Sequence, residues 1–142
     1  MNDIITAGNA PIAVGAYPHA RRVGNLLFLS GVGPRQPGNN SVPGNVFAAD
    51  GTLCSYDIEA QCRQVFVNVR AVLEASGARW RDLVDVTVYL TDMRRDFAAY
   101  NRVYAEYFTD AHPCRTTLGI TALPTPIAIE LKCVAVIADA DA

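Results

Sequence analysis

The run Pro126-Ile127-Ala128-Ile129-Glu130-Leu131-Lys132-Cys133-Val134-Ala135-Val136-Ile137 constrains the fold more than any other part of the chain. Read as a strand, it sets Ile127, Ile129, Leu131, Cys133, Ala135 and Ile137 on one face, while Ala128, Val134 and Val136 fall largely on the other. A strand apolar on both sides needs cover on both sides. Glu130 interrupts it, pointing away from Ile129 and Leu131, where an ionised carboxylate is costly unless it is paired or hydrogen-bonded.

The helices that can supply cover are few. Residues 55–76 read as the clearest helix, with Ile58, Cys62, Val65, Phe66, Val69, Val72 and Leu73 on one face. Ser55 or Asp57 can cap it, and Gly77 ends it. Residues 94–108 read as a second helix packing Phe97, Tyr100 or Asn101, Tyr104 and Phe108, with Pro113 barring its continuation. Strands are expected at 25–30, a short apolar run between Gly24 and Gly31 that reads as a buried strand, with 17–23 as a hairpin partner turning at Gly24-Asn25, and at 83–90, where Val84, Val86, Val88 and Leu90 face one way. Two more are expected at 115–120 and 127–137. The order hairpin, helix, strand, helix, strand, strand implies an α+β domain with two helices on one face of a mixed sheet. With no third helix left, the other face of the last strand is expected to bury against another subunit.

At 142 residues and 51% hydrophobic the chain is long and apolar enough for one domain with a proper core, spanning residues 1–142. The net charge is −2, and the eleven Arg and one Lys are scattered, so no basic stripe points to nucleic acid. The N-terminus shows no basic segment followed by an apolar run, and no stretch is long enough to span a bilayer, which makes the cytoplasm the expected location. Cys54, Cys62, Cys114 and Cys133 have no metal-ligand spacing and are expected to be reduced thiols, at least two of them in the core. The segment from Gly33 to Leu53, rich in Gly, Pro and Asn at its start, is either a functional loop or a tolerated surface insertion.

Two charged residues stand out as chemistry. Arg115 begins a strand and shares a face with Thr117 and Gly119, so that a guanidinium, a hydroxyl and bare backbone could floor a site for a small planar acid. The plainer alternative is an exposed Arg at a strand end. Burial would push the pKa of Glu130 upward, suiting it to hold a water as general acid or base. Its plainer alternative is a structural ion pair. His112 and Cys114 flank a proline without a third orienting group and make a weak nucleophile and base.

Gly15-Ala16-Tyr17, Leu29-Ser30-Gly31, Asn101, Arg115-x-Thr117 and Pro126-Ile127-x-Ile129-Glu130, in that order along nearly the whole chain, resemble the reactive-intermediate deaminase (RidA-like) family. The resemblance implies a trimeric, chorismate-mutase-like α+β fold with active sites in clefts between subunits. It implies hydrolysis of a 2-imino acid to a 2-oxo acid and ammonia, without metal or organic cofactor. By the same resemblance Arg115 clamps the substrate carboxylate and Glu130 positions or activates water. Tyr17 and Gly31 line the cleft, and Asn101 lies nearby. Typical members carry Cys where this chain has Thr117. That difference, the longer 33–53 segment and Pro113-Cys114-Arg115-Thr116-Thr117 are closer to the 2-aminomuconate deaminases of aromatic-compound catabolism. Such an enzyme acts on a six-carbon enamine dicarboxylate and leaves a 2-oxo-hexenedioate (4-oxalocrotonate). A second substrate carboxylate would want a cation or donor, for which Arg35, His19 and Arg22 are candidates. The other expectations are a broad 2-iminoalkanoate deaminase and a non-catalytic ligand-binding regulatory trimer. Trimers could also pair into hexamers.

Overall fold

A computed structural model describes residues 2–138. Its centre is a six-stranded mixed sheet in the order β1-β2-β3-β8-β6-β7. The strands are β1 (Asn2–Ile5), β2 (Ala20–Val23), β3 (Leu26–Leu29), β6 (Leu83–Leu90), β7 (Cys114–Gly119) and β8 (Ile129–Val136). Neighbours are antiparallel except β6 and β7, which run parallel through the crossover helix α2 (Met93–Tyr107). Helix α1 (Ile58–Ala75) packs beside α2, and β8 lies beneath α1. The expected α+β class and the one-sided placement of two helices are both present.

The two helices begin where their caps allow. Asp57 accepts the Ala60 amide at 3.1 Å and starts α1, which leaves Ser55 at the end of a short strand, β5 (Leu53–Ser55). Asp92 does the same for α2 through the Arg95 amide at 3.1 Å. The core beneath them is a single cluster built from Leu27, Leu29, Phe66, Leu73, Val86, Leu90, Tyr100, Ile129 and Leu131, among others. Cys62 and Cys133 lie in that core, while Cys54 and Cys114 are exposed, and none forms a disulfide.

Three packing expectations need correction. Val84 does not join the buried face of β6: the pairing with β8 slips between Leu83 and Asp85, so Leu83 is buried and Val84 is exposed. Phe97 lies on the outer flank of α2, and the inward positions are Asp96, Tyr100, Val103 and Tyr104. Strand β3 is not buried on both faces, because Leu27 and Leu29 enter the core while Leu26 and Phe28 stay exposed.

The 33–53 segment is not a bare loop. It carries β4 (Val46–Phe47), which pairs with β5, and it is tied to the body of the protein by buried amides. Asn68, fully buried on α1, donates to the carbonyls of Gly33 and Arg35 at 2.8 Å each. Gln61, also fully buried, receives the Ala128 amide at 2.8 Å and donates to Asn45, whose own amide reaches Pro126 O at 2.8 Å. Gly44 (φ 82°) lies against the cap of α1, where a Cβ would come within 2.5 Å of the Asp57 Cβ.

Candidate active site

The chemistry-bearing residues fall into two groups on opposite faces of the sheet. β7 pairs with β6 in the register Val86–Arg115, Val88–Thr117 and Leu90–Gly119, and those three β6 residues face the helices. Arg115 and Thr117 therefore face the helices too. β8 pairs Glu130 with Tyr89, on the other face. A side chain on β7 and one on β8 pointing opposite ways cannot close on one small molecule within a single chain.

On the helix face Arg115 is held as a ready-made clamp. One of its terminal nitrogens donates to Asn101 Oδ1 at 2.8 Å. The guanidinium carbon lies 4.7 Å from the ring centroid of Tyr104 and 5.3 Å from that of Tyr100. Stacking on aromatic faces fixes the plane of the fork while leaving other donors free. Thr117 reaches this platform from below, its hydroxyl 2.9 Å from that of Tyr100. Burial raises the pKa of both phenols, so the platform stays neutral. Sequence reading missed Tyr100 and Tyr104 as supports, although their i, i+4 spacing on the packing side of a helix was the available signal.

On the outer face Glu130 is half-buried against Gly31. A Cβ at Gly31 would lie 2.7 Å from Oε2, so only glycine lets the carboxylate settle there. Among the described residues Glu130 enters no ion pair within the chain. Its pKa is raised above the usual carboxylate range by burial. Tyr17, Ser30, Gly31, Pro124, Glu130 and Lys132 line a cleft of about 360 Å³. Tyr17 is fixed at its mouth by its own turn: its amide bonds to Gly15 O at 3.0 Å and its hydroxyl accepts the Val14 amide at 3.2 Å. Ser30 anchors the same turn by donating to Pro18 O at 2.7 Å.

The three candidate cations for a second carboxylate have other jobs. His19 accepts the Ala7 amide through Nδ1 and lies 2.7 Å from Pro11 O through Nε2; the carbonyl can only accept, so both ring nitrogens are occupied. Arg22 donates to Gly24 O in the β2–β3 turn. Arg35 lines a neighbouring recess with Tyr17 and Glu130 but donates to Asn40 Oδ1 and Ile12 O, tying the 33–53 segment to the N-terminal stretch. His112 and Cys114 are both exposed and share no hydrogen bond. Among the described residues no cluster of His, Cys, Asp and Glu could hold a metal ion, and no helix is long and apolar enough to cross a membrane.

The chain that carries these two faces matches a known family along almost its whole length. The model described as endoribonuclease L-PSP matches residues 7–137. A RutC family protein from Pyrococcus horikoshii is 39% identical over 135 residues, covering 95% of this chain and 98% of the relative. The 2-iminobutanoate/2-iminopropanoate deaminase of Escherichia coli is 34% identical over 139 residues, covering 96% and 98%. Among solved structures, RidA from an Antarctic Psychrobacter superposes with a TM-score of 0.82 at 31% identity, covering 95% of this chain and 99% of that one. E. coli TdcF with bound serine superposes with a TM-score of 0.82 at 29% identity, covering 96% and 99%. Sequence and fold agree over almost the full length, and the chain belongs to the endoribonuclease L-PSP family, which is also the family of the RutC and RidA proteins.

Proposed function

We propose that this chain is a hydrolytic deaminase of 2-imino and 2-enamino carboxylates. Its site is completed between copies, most simply in a trimer. The observation that carries the reading is the opposed placement of Arg115 and Glu130 on one sheet. An anion clamp and an unpaired carboxylate with a raised pKa are the two parts that imine hydrolysis asks for, and a neighbouring copy can bring one to the other. The outer face supports such packing. Val23, Leu26, Phe28 and Val136, adjacent across β2, β3 and β8, are each 37–43% exposed and form an apolar surface beside the cleft. In the same family TdcF carries bound serine, itself a small 2-amino carboxylate.

The steps follow from the parts. Arg115 of one copy holds the substrate carboxylate and presents the C2 imine to the cleft of the next. Glu130, ionised, accepts a proton from a water as its oxygen bonds to C2 of the protonated imine, giving a neutral carbinolamine. The protonated carboxyl then returns that proton to the departing nitrogen. As the C–N bond breaks, Glu130, ionised again, takes the proton of the carbinolamine hydroxyl; ammonia leaves, and the 2-oxo acid remains. An enamine substrate must first take a proton on carbon to become the imine. Water is the only co-reactant, because the imine carbon is already electrophilic.

Within this class we propose 2-aminomuconate, giving 4-oxalocrotonate, as the substrate. The basis is Thr117, the 33–53 segment and the Pro113 to Thr117 run. A broad 2-iminoalkanoate deaminase is the second reading, favoured by the E. coli relative's name. The family model's description names an endoribonuclease, but a track for RNA needs free cations. Arg63, Arg79, Arg95 and Arg102 are engaged with carboxylates, and the remaining cations are scattered along the chain rather than gathered in a basic stripe. The test is to generate 2-aminomuconate and 2-iminobutanoate enzymatically in the presence of the protein and follow absorbance and ammonia. Acceleration of either supports the deaminase, and the ratio of kcat/KM chooses between the substrates. No acceleration of either removes it.

A further inference from the structure

We propose that Lys132 is an anion anchor at the far end of the Glu130 cleft, selecting substrates with a second carboxylate over those with one. This rests on the deaminase reading above and gives its site a specificity element. Lys132 is the single lysine of the chain, and it sits inside a strand that is otherwise apolar but for Glu130. It follows Glu130 by two residues, so the two side chains share the outer face of β8 about 6.7 Å apart along the strand. Both line the same cleft, together with Tyr17, Ser30, Gly31 and Pro124.

Opposite charges this close on one strand face ordinarily pair, yet these do not. Glu130 lies against Gly31, while the Lys132 ammonium is drawn across to β3, where it donates to the Leu29 carbonyl. Among the described residues neither enters an ion pair. The ammonium carries three donors and this contact uses one. A half-buried cation without a counter-ion is a standing demand for an anion. His19, Arg22 and Arg35 do not line this cleft: His19 has both ring nitrogens occupied, Arg22 is tied to the β2–β3 turn, and Arg35 lies in the neighbouring recess, held by Asn40 Oδ1 and Ile12 O. With the reacting carbon at Glu130, a carboxylate several carbons along an extended chain falls at Lys132.

The test uses unreactive probes so that binding is read apart from turnover. Calorimetry compares trans,trans-muconate, a six-carbon dicarboxylate, with sorbate, the monocarboxylate of the same length and unsaturation, on the assembled protein and on Lys132→Met and Lys132→Arg. The expected result is a preference of at least about tenfold for muconate in the wild type, the scale of one charge-assisted hydrogen bond. It falls to within about twofold in Lys132→Met and is restored in Lys132→Arg. No preference in the wild type, or one that survives in Lys132→Met, overturns the proposal. So does an equal loss of both ligands, the signature of a purely structural lysine. If muconate is preferred through Lys132 but no imine is hydrolysed, the deaminase reading fails while the anion anchor stands.

Discussion

The carboxylate of Glu130 rests on the bare Cα of Gly31, so closely that a methyl group there would overlap Oε2 at 2.7 Å and the carboxyl carbon at 2.9 Å. Gly31 is not in a left-handed conformation and is itself exposed, so alanine is tolerated by the backbone. The cost of Gly31→Ala therefore falls on the position of Glu130. A displacement of about 1 Å in a catalytic group is worth roughly 100-fold in rate. Gly31→Ala is expected to lose that much in kcat for imine hydrolysis while Tm moves by only a few degrees, measured by ammonia release and by thermal melting of the same preparation.

The raised pKa of Glu130 has a sign that can be checked in stability. Burial makes its proton harder to remove in the folded protein than in the unfolded chain. Below the unfolded pKa both states are protonated and the group is neutral to folding. As pH rises through the folded pKa the buried carboxyl must ionise, and the folded state loses ground to the unfolded one. Glu130→Gln should therefore raise Tm at neutral pH, and the gain should vanish near pH 4. The same ionisation is what the general base needs, so kcat/KM should rise with pH through a value above the ordinary carboxylate range. A Tm difference independent of pH would contradict the assignment.

How much of this was readable from sequence depends on range. Alternation along β8 separated Glu130 from Ile129 and Leu131, and alternation along β7 grouped Arg115 with Thr117, because period-two patterning is a local property. The 3.6-residue period likewise gave the buried face of α1. Other features depend on partners distant in the chain. The slip at Leu83/Asp85 that exposes Val84 is set by β8, some 50 residues on. Gln61 and Asn68 looked like ordinary polar residues on a helix, and only their partners at Ala128, Gly33 and Arg35 give them a purpose. Strand β1 is short and pairs only with β2, so its own residues carried little signal. Lys132 was hidden for the same reason: alternation gives its face, but its contact with the Leu29 carbonyl on β3 and its place in the Glu130 cleft depend on distant residues.

Asn68 makes a sharp case for that buried polar network. Its amide satisfies two carbonyls and its oxygen receives Gln64 Nε2 at 3.0 Å. Asn68→Ala leaves the Gly33 and Arg35 carbonyls without a donor, at a cost of about 3 kcal/mol. Chemical denaturation at one fixed protein concentration, needed if the protein is oligomeric, should show this loss. Proteolysis should show earlier cutting within the 33–53 segment than elsewhere, because that segment loses its tie to α1.

The clamp side predicts a graded series rather than a single loss. Arg115→Lys keeps the charge but gives up the planar fork and its fit to the Tyr104 and Tyr100 rings, so kcat/KM should fall about 100-fold. Asn101→Ala removes one hydrogen bond to the guanidinium and leaves the stacking, so the loss should be nearer tenfold. Thr117→Val removes only the hydroxyl contact beneath Tyr100, two steps from the substrate, and should cost less than either. Because all three act on how the carboxylate is held, the change should appear largely in KM. Thr117→Cys, which restores the residue typical of RidA-like proteins, should shift the ratio of monocarboxylate to dicarboxylate turnover upward if Thr117 helps set substrate choice. Steady-state kinetics on 2-iminobutanoate and 2-aminomuconate decide it: an unchanged ratio would leave Thr117 a support for the Tyr100 ring and nothing more.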